Sequence, residues 1–333
     1  VDWSVDDGLP SVIPATLSLA MSGYGITHSD VGGYNGAVAY VTGSVILDGA
    51  VLSSNNYGSW TIETVGSEKV DGKYGSVFVG GGTEVVDENT GSKGDAPHNG
   101  GLIQKVYGSV VVDGITSASD NKLVSNFGSG IKEVGISQND DGSWGGVKIL
   151  NGAHVETYCD SITNVKGGVV IDGVGTLVQS EYGRIWTINT IGSEKDGAGN
   201  YGGVTVSGGA KVQDKCEYGT VFNGGAISKV YGGVVVTGSG TEVSSVQGIG
   251  IKDVGISQND DGSWGGVRIL NGAHVKTYQD SITNVKGDVV VDGGTEGAAV
   301  TDYANSKTKV TSETGMAISD VTGRLDVVRG AAI

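Results

Sequence analysis

Two clusters of oxygen ligands recur in the chain, Asn139-Asp140-Asp141-Gly142 and Asn259-Asp260-Asp261-Gly262. Clustered carboxylates and amides are what a calcium ion takes. The spacing is neither the D-x-[DN]-x-[DN]-G of an EF-hand nor the GGxGxD of a calcium β-roll. Asx residues ahead of glycine also build turns by bonding their own backbone. We read both clusters as turns and expect no metal and no cofactor. Of the 4 histidines, His154 and His274 are each the middle of Ala-His-Val. In a strand their rings point away from the face of the flanking residues, toward solvent. His28 and His98 have no Cys or His at metal-ligand spacing. No nucleophile elbow, P-loop or dinucleotide fingerprint lies between a strand and a helix. No catalytic residue is assigned.

One further set of side chains is ordered by position. Tyr74, Tyr107, Trp144 and Lys166 each precede a Gly that opens a short apolar run, and Tyr201, Tyr231, Trp264 and Lys286 do the same in the second half. The Tyr-Tyr-Trp-Lys order thus occurs twice. An aromatic stack that shields glycine backbone is one reading. An exposed aromatic strip for sugar rings is the other.

The elements beneath these residues are repeats. Residues 131–167 return at 251–287 with changes at Glu133/Asp253, Lys148/Arg268, Glu156/Lys276 and Cys159/Gln279. Within them lies a smaller unit. A Val recurs at 45, 77, 110, 147, 169, 204, 234, 267 and 289, with Gly two residues before each and an apolar residue two after. Turns such as Asp48-Gly49, Asn151-Gly152 and Asn271-Gly272 follow. The unit length runs from 22 residues (147 to 169) to 37 (110 to 147). Val-x-Val alternation is the period of a strand with one buried face. A four-residue strand buries too little to stand alone, and stacking like strands from successive units joins their faces into one core. A propeller needs longer units of four antiparallel strands. The fold expected is all-β, a right-handed parallel β-helix preceded by a short helical segment. Asp7 and Pro10 would open that helix and Ser22-Gly23 would end it, after about Met21. Cys159 and Cys216 each stand 12 residues after a unit Val (147 to 159, 204 to 216). Two rungs apart, their Cα atoms exceed the reach of a disulfide of about 7 Å, so free thiols are expected.

Composition narrows the class. The chain has 333 residues, with 61 Gly, 3 Pro and 2 Cys. Collagen and disulfide scaffolds are excluded. The net charge of −16 repels phosphate backbones and anionic lipid, so no nucleic-acid partner is expected. No apolar run is long enough for a membrane helix, and no membrane insertion by this chain is expected. The apolar stretch Leu9–Met21 follows Asp2, Asp6 and Asp7 rather than basic residues, so it is not read as a signal peptide. Any export signal is expected outside this chain.

Two resemblances follow. GGVKILNGAHV (145–155), GGVTVSGGAKV (202–212) and GGVRILNGAHV (265–275) alternate with GGVVIDGVGTLV (167–178) and GGVVVTGSGTEV (232–243). These resemble the passenger repeats of bacterial autotransporters, the adhesins of type V secretion, over residues 36–295. The resemblance implies a right-handed β-helix that is secreted or on the bacterial cell surface, non-enzymatic and adhesin-like. Its partners would be glycans or other cell-surface molecules, or further copies of itself. Residues 296–333 lose the Gly-Val phase and are expected to form a C-terminal cap or tail. Residues 1–34 are different. Asp2-Trp3-Ser4, Pro10–Met21 and His28-Ser29-Asp30-Val31-Gly32-Gly33-Tyr34 resemble a fragment of glycoside hydrolase family 31, which holds α-glucosidases and sulfoquinovosidases. By that resemblance His28 and Asp30 line a sugar pocket, and Tyr34 helps recognise a sulfonate. The family's acid/base Asp would stand just before Val1 and its nucleophile further upstream. Retaining hydrolysis needs both carboxylates, so residues 1–35 are expected to be a catalytically incomplete barrel segment. A polysaccharide-processing β-helix enzyme is disfavoured: there are four arginines, Arg184, Arg268, Arg324 and Arg329, and no Asn-Thr-Asp, Gly-His-Gly or Arg-Ile-Lys run.

Overall fold

A computed structural model describes residues 37–55, 58–89, 100–114, 121–182, 185–216, 224–294 and 308–333. The described residues contain strands, turns and no helix. The helix expected up to Met21 lies outside them.

Three parallel sheets of 9, 10 and 9 strands account for almost every strand. The chain visits the three in rotation, so each sheet collects its strands in sequence order. The first circuit is Val38–Val41, Val45–Asp48 and Val51–Ser54. The fourth is Ser129–Val134, Val147–Leu150 and His154–Thr157. Counting from Val38, the second sheet records ten such circuits. This arrangement is compatible with the expected parallel β-helix. Residues 308–333 continue it. Lys309–Ser312 extends the third sheet beside His274–Thr277, and Leu325–Val328 extends the second beside Val289–Asp292.

The nine unit valines meet in direct register. Val45 pairs with Val77, Val77 with Val110, Val110 with Val147 and Val147 with Val169. Val169 pairs with Val204, Val204 with Val234, Val234 with Val267 and Val267 with Val289. All nine are buried in one continuous core with the apolar residues two places on, except that Leu47 of the first circuit is half-buried against it. The alternation predicted this, because a one-residue slip would turn the whole apolar set outward.

The invariant glycine of the unit has a steric cause. A Cβ placed on Gly145 would lie 2.0 Å from the carbonyl oxygen of Gly108, one circuit below. The same glycine position stacks at every corner between the first and second sheets, and Gly167 donates its N–H to Gly145 O at 3.1 Å. Close backbone contact, rather than positive φ, excludes a side chain there.

Two features of the interior were not foreseen. The last residues of the third-sheet strands point inward although they are polar. Ser54, Asp87, Ser125, Thr157, Ser180, Asp214, Ser245 and Thr277 are all buried and pair in register from one circuit to the next. They find partners within the column or across the corner, as buried polar groups must. Ser125 Oγ donates to Asp87 at 2.7 Å and Ser245 Oγ to Asp214 at 2.6 Å. Ser180 Oγ and Thr187 Oγ1 share a 2.7 Å bond across the corner. The second feature is a column of left-handed residues in the first sheet, one per circuit, next to last in each strand. It includes Thr64 (φ 56°), Lys105 (56°), Glu133 (58°), Asn164 (55°) and Thr190 (59°). A left-handed residue breaks the period of two. Residues three apart, such as Ile103 and Val106 or Ile131 and Val134, can then both face inward.

The small aromatic cluster of Phe127, Tyr158 and Cys159 lies apart from the main core. The Phe127 and Tyr158 rings stack at 4.9 Å. Cys159 and Cys216 are buried free thiols, as the register predicted.

Candidate functional site

The surface with the most chemistry is the corner between the first and second sheets. Corners there alternate in length. Odd circuits turn in three residues (107–109, 166–168, 231–233, 286–288), and even circuits from the second to the eighth carry loops (66–76, 135–146, 192–203, 255–266). The loops stand over one another two circuits apart and bond directly into a rib.

Both Asn-Asp-Asp-Gly clusters are spent on this rib. Asn139 Oδ1 accepts from the Tyr74 N–H at 3.1 Å, and Asn259 Oδ1 from the Tyr201 N–H at 3.0 Å. Asp140 pairs with Lys69 and Asp260 with Lys195, each at 2.5 Å. These bonds hold both ammonium groups above their ordinary pKa. Asp141 pairs with Lys73 and accepts from Ser143, which holds its carboxyl well below the usual range. The clusters therefore act as Asx turns that bind the lysine and backbone of the loop two circuits earlier.

The six aromatics of the expected strip lie along this corner but do not form one continuous stack. Tyr74 and Tyr107 sit 5.6 Å apart at 40°, and Tyr201 and Tyr231 repeat that geometry. Lys69 lies 4.8 Å above the Tyr74 ring and Lys195 5.3 Å above that of Tyr201. Trp144 is half-buried and donates Nε1–H to the Lys195 carbonyl at 2.9 Å. Trp264 is 42% exposed. His28, Asp30 and Tyr34 lie outside the described residues.

Beside Tyr107 a groove of about 600 Å³ opens over the left-handed column. Lys105, Glu133, Asn164 and Thr190 come from four consecutive circuits, and each is the left-handed residue of its strand. Tyr107 and Lys166 add an aromatic face and a cation; Ile136 and Ser193 are contributed by the rib loops. Lys105 is bonded to Glu63 at 3.2 Å, which raises its pKa, and Lys166 to Glu194 at 2.8 Å. The groove offers a ring face beside hydroxyl, amide, carboxylate and ammonium groups, a set suited to a polar ring-shaped ligand. The corresponding residues of the long repeat, Lys229, Tyr231, Asp253, Asn284 and Lys286, stand four circuits on. Apart from Tyr107 and Lys166, which the Tyr-Tyr-Trp-Lys order singled out, sequence reasoning missed this groove. The signal was present as the recurring Ile-x-x-Val, a spacing that no regular strand explains.

The remaining candidates have structural partners. His154 is half-buried between buried Ala153 and Val155 and turned to the outer side. Its Nδ1 lies 3.3 Å from Glu156 and its Nε2 3.1 Å from the Gly175 carbonyl. The Glu156 carboxyl is lowered chiefly by that histidine. Cys159 is pushed up to about 12 by burial, which removes the thiolate that reactivity requires. Among the described residues no group of three or more His, Cys, Asp or Glu is placed to hold a metal ion.

A segment of 34 residues is 74% identical to sulfoquinovosidase of Escherichia coli (strain K12). The match covers 10% of this chain and 5% of that protein. Its length equals that of residues 1–34, where the resemblance to glycoside hydrolase family 31 lies. No family model and no solved structure matches the chain.

Proposed function

We propose that this chain is a right-handed parallel β-helix, secreted or surface-exposed, and that it serves as a non-enzymatic, adhesin-like module that binds glycans. Right-handedness follows from the near-universal hand of parallel β crossovers. The autotransporter-like repeats support the surface location. The observation that carries the binding role is the groove at Tyr107, where four left-handed residues present side chains beside a tyrosine ring. Lys229, Tyr231, Asp253, Asn284 and Lys286 repeat part of its lining four circuits on, so a second, partial site would add avidity on a repeating polysaccharide.

The test is a glycan array, followed by titration of the hits against Tyr107→Ala and Tyr231→Ala. Loss of binding in both variants, with the fold retained, supports the reading. Unchanged binding in the double variant overturns it.

A second reading is a family 31 glycosidase, favoured by the 34-residue identity. Incubation with chromogenic α-glucoside and sulfoquinovoside decides between them. The adhesin reading expects no turnover; saturable turnover that persists on purification would replace it.

A further inference from the structure

The loops 135–146 and 255–266 have identical sequences, GISQNDDGSWGG, yet only the first is covered. Loop 192–203 lies on it. Trp144 Nε1 and Gln138 Nε2 both donate to the Lys195 carbonyl, at 2.9 and 3.5 Å. Gly197 N–H donates to the Gly142 carbonyl at 2.9 Å. Glu194 of the covering loop pairs with Lys166 of the intervening circuit at 2.8 Å. On the twin loop no described residue takes the place of loop 192–203. Trp264 is 42% and Ile256 38% exposed, and among the described residues Gln258 Nε2 bonds only to the Gly262 carbonyl of its own loop. Lys286, the counterpart of Lys166, is exposed and meets no carboxylate among the described residues. The next even circuit, where a covering loop would stand, turns in three residues, 322–324.

We infer that the outer face of loop 255–266 is a docking site for a peptide segment of the Gly-Ser-Glu-Lys type carried by a partner protein. Its carboxylate pairs with Lys286. The carbonyl of the residue after that carboxylate accepts from Trp264 Nε1, and an N–H two residues further on reaches Gly262 O. The internal contact between loops 135–146 and 192–203 supplies both the chemistry and the relative placement. A folded second copy does not fit: seating its loop 66–76 in that placement would put its second circuit where this chain's tenth already lies. The occupant is therefore an extended or looped segment entering beside 322–324. The site shares Lys286 with the second copy of the groove residues, while its Trp264 and Gly262 contacts belong to the loop alone and do not rest on the glycan reading.

The test uses the full ¹⁵N-labelled chain and a synthetic peptide of the sequence of residues 191–203. The indole N–H signals are followed by NMR, with Trp264→Phe to assign the one that matters. A saturable shift of the Trp264 indole, with that of Trp144 unmoved, is expected. Lys286→Glu in the protein, or Glu→Gln in the peptide, should weaken binding roughly fivefold, the scale of a solvent-exposed ion pair. A loop-graft variant of the full chain replaces 322–324 by the sequence of residues 192–203, which removes the entropic cost of capture. There the Trp264 indole should exchange as slowly as that of Trp144, and this protection alone also supports the site. A Trp264 indole that stays open in the graft and does not shift with peptide overturns the proposal. So does peptide binding indifferent to Lys286→Glu, or a Trp264 indole that shifts with oligosaccharide and not with peptide.

Discussion

The glycine column at the first corner allows a paired experiment within one chain. Gly145→Ala and Gly43→Ala change the same position of the unit by the same methyl group. At Gly145 the new Cβ meets Gly108 O at 2.0 Å, Gly108 C at 2.4 Å and Gly108 Cα at 3.1 Å. At Gly43, in the first circuit, nothing lies within 4 Å. Ordinary carbon contacts need more than 3 Å, so Gly145→Ala requires two stacked backbones to part by about 1 Å. Over-packing against side chains costs about 1–3 kcal/mol. Here the obstacle is backbone tied by the Gly167–Gly145 bond below the next rung, so the upper figure, about 3 kcal/mol, applies. At Gly43 the methyl meets open space, and alanine restricts the unfolded chain, a gain of about 0.4–1 kcal/mol. The two variants should therefore separate by about 3–4 kcal/mol, with opposite signs. Guanidinium denaturation followed by tryptophan fluorescence measures it, because Trp144 adjoins Gly145 and reports local opening that a long array need not share throughout. Equal midpoints for the two variants, or a destabilised Gly43→Ala, would refute the steric origin of the Gly-x-Val motif.

Burial raises the Asp214 carboxyl. A raised carboxyl contributes stability below its unfolded pKa and loses it as pH rises through the folded value. Asp214→Asn should therefore match the parent in acid and exceed it at neutral pH, as read from denaturation midpoints across pH 3–8. Both cysteines should resist iodoacetamide at pH 8 in the native protein and react fully in guanidinium, counted by mass spectrometry. Thr64→Asn replaces a β-branched residue at φ 56° with one that tolerates the left-handed region. The expected gain is about 1 kcal/mol in thermal or chemical denaturation.

The strands of the second sheet could be read directly from the chain. The valines, the glycines two residues ahead and the Asx-Gly turns are one-dimensional signals, because each rung meets a copy of itself. Periodicity alone then determines register and burial. The Asn-Asp-Asp-Gly clusters could be recognised as turns, but not that Asp140 and Asp260 would hold Lys69 and Lys195. Those partners lie two circuits away, and sequence separation carries no mark of it. The polar column of Asp87, Ser125, Thr157 and Asp214 was illegible for a related reason. A serine or aspartate at the end of an apolar run reads as an outward residue, and only its bonded neighbours above and below make an inward position tolerable.

Sequence by itself thus determined an all-β chain of stacked units with a valine core, since that information repeats along one axis. Only the tertiary structure decided the groove and the rib. The column of left-handed residues rotates Lys105, Glu133, Asn164 and Thr190 onto a common surface, and the alternation of long and short corners leaves loop 135–146 covered and its identical twin open. Both depend on which circuits stand beside one another, and a residue's own type cannot specify that.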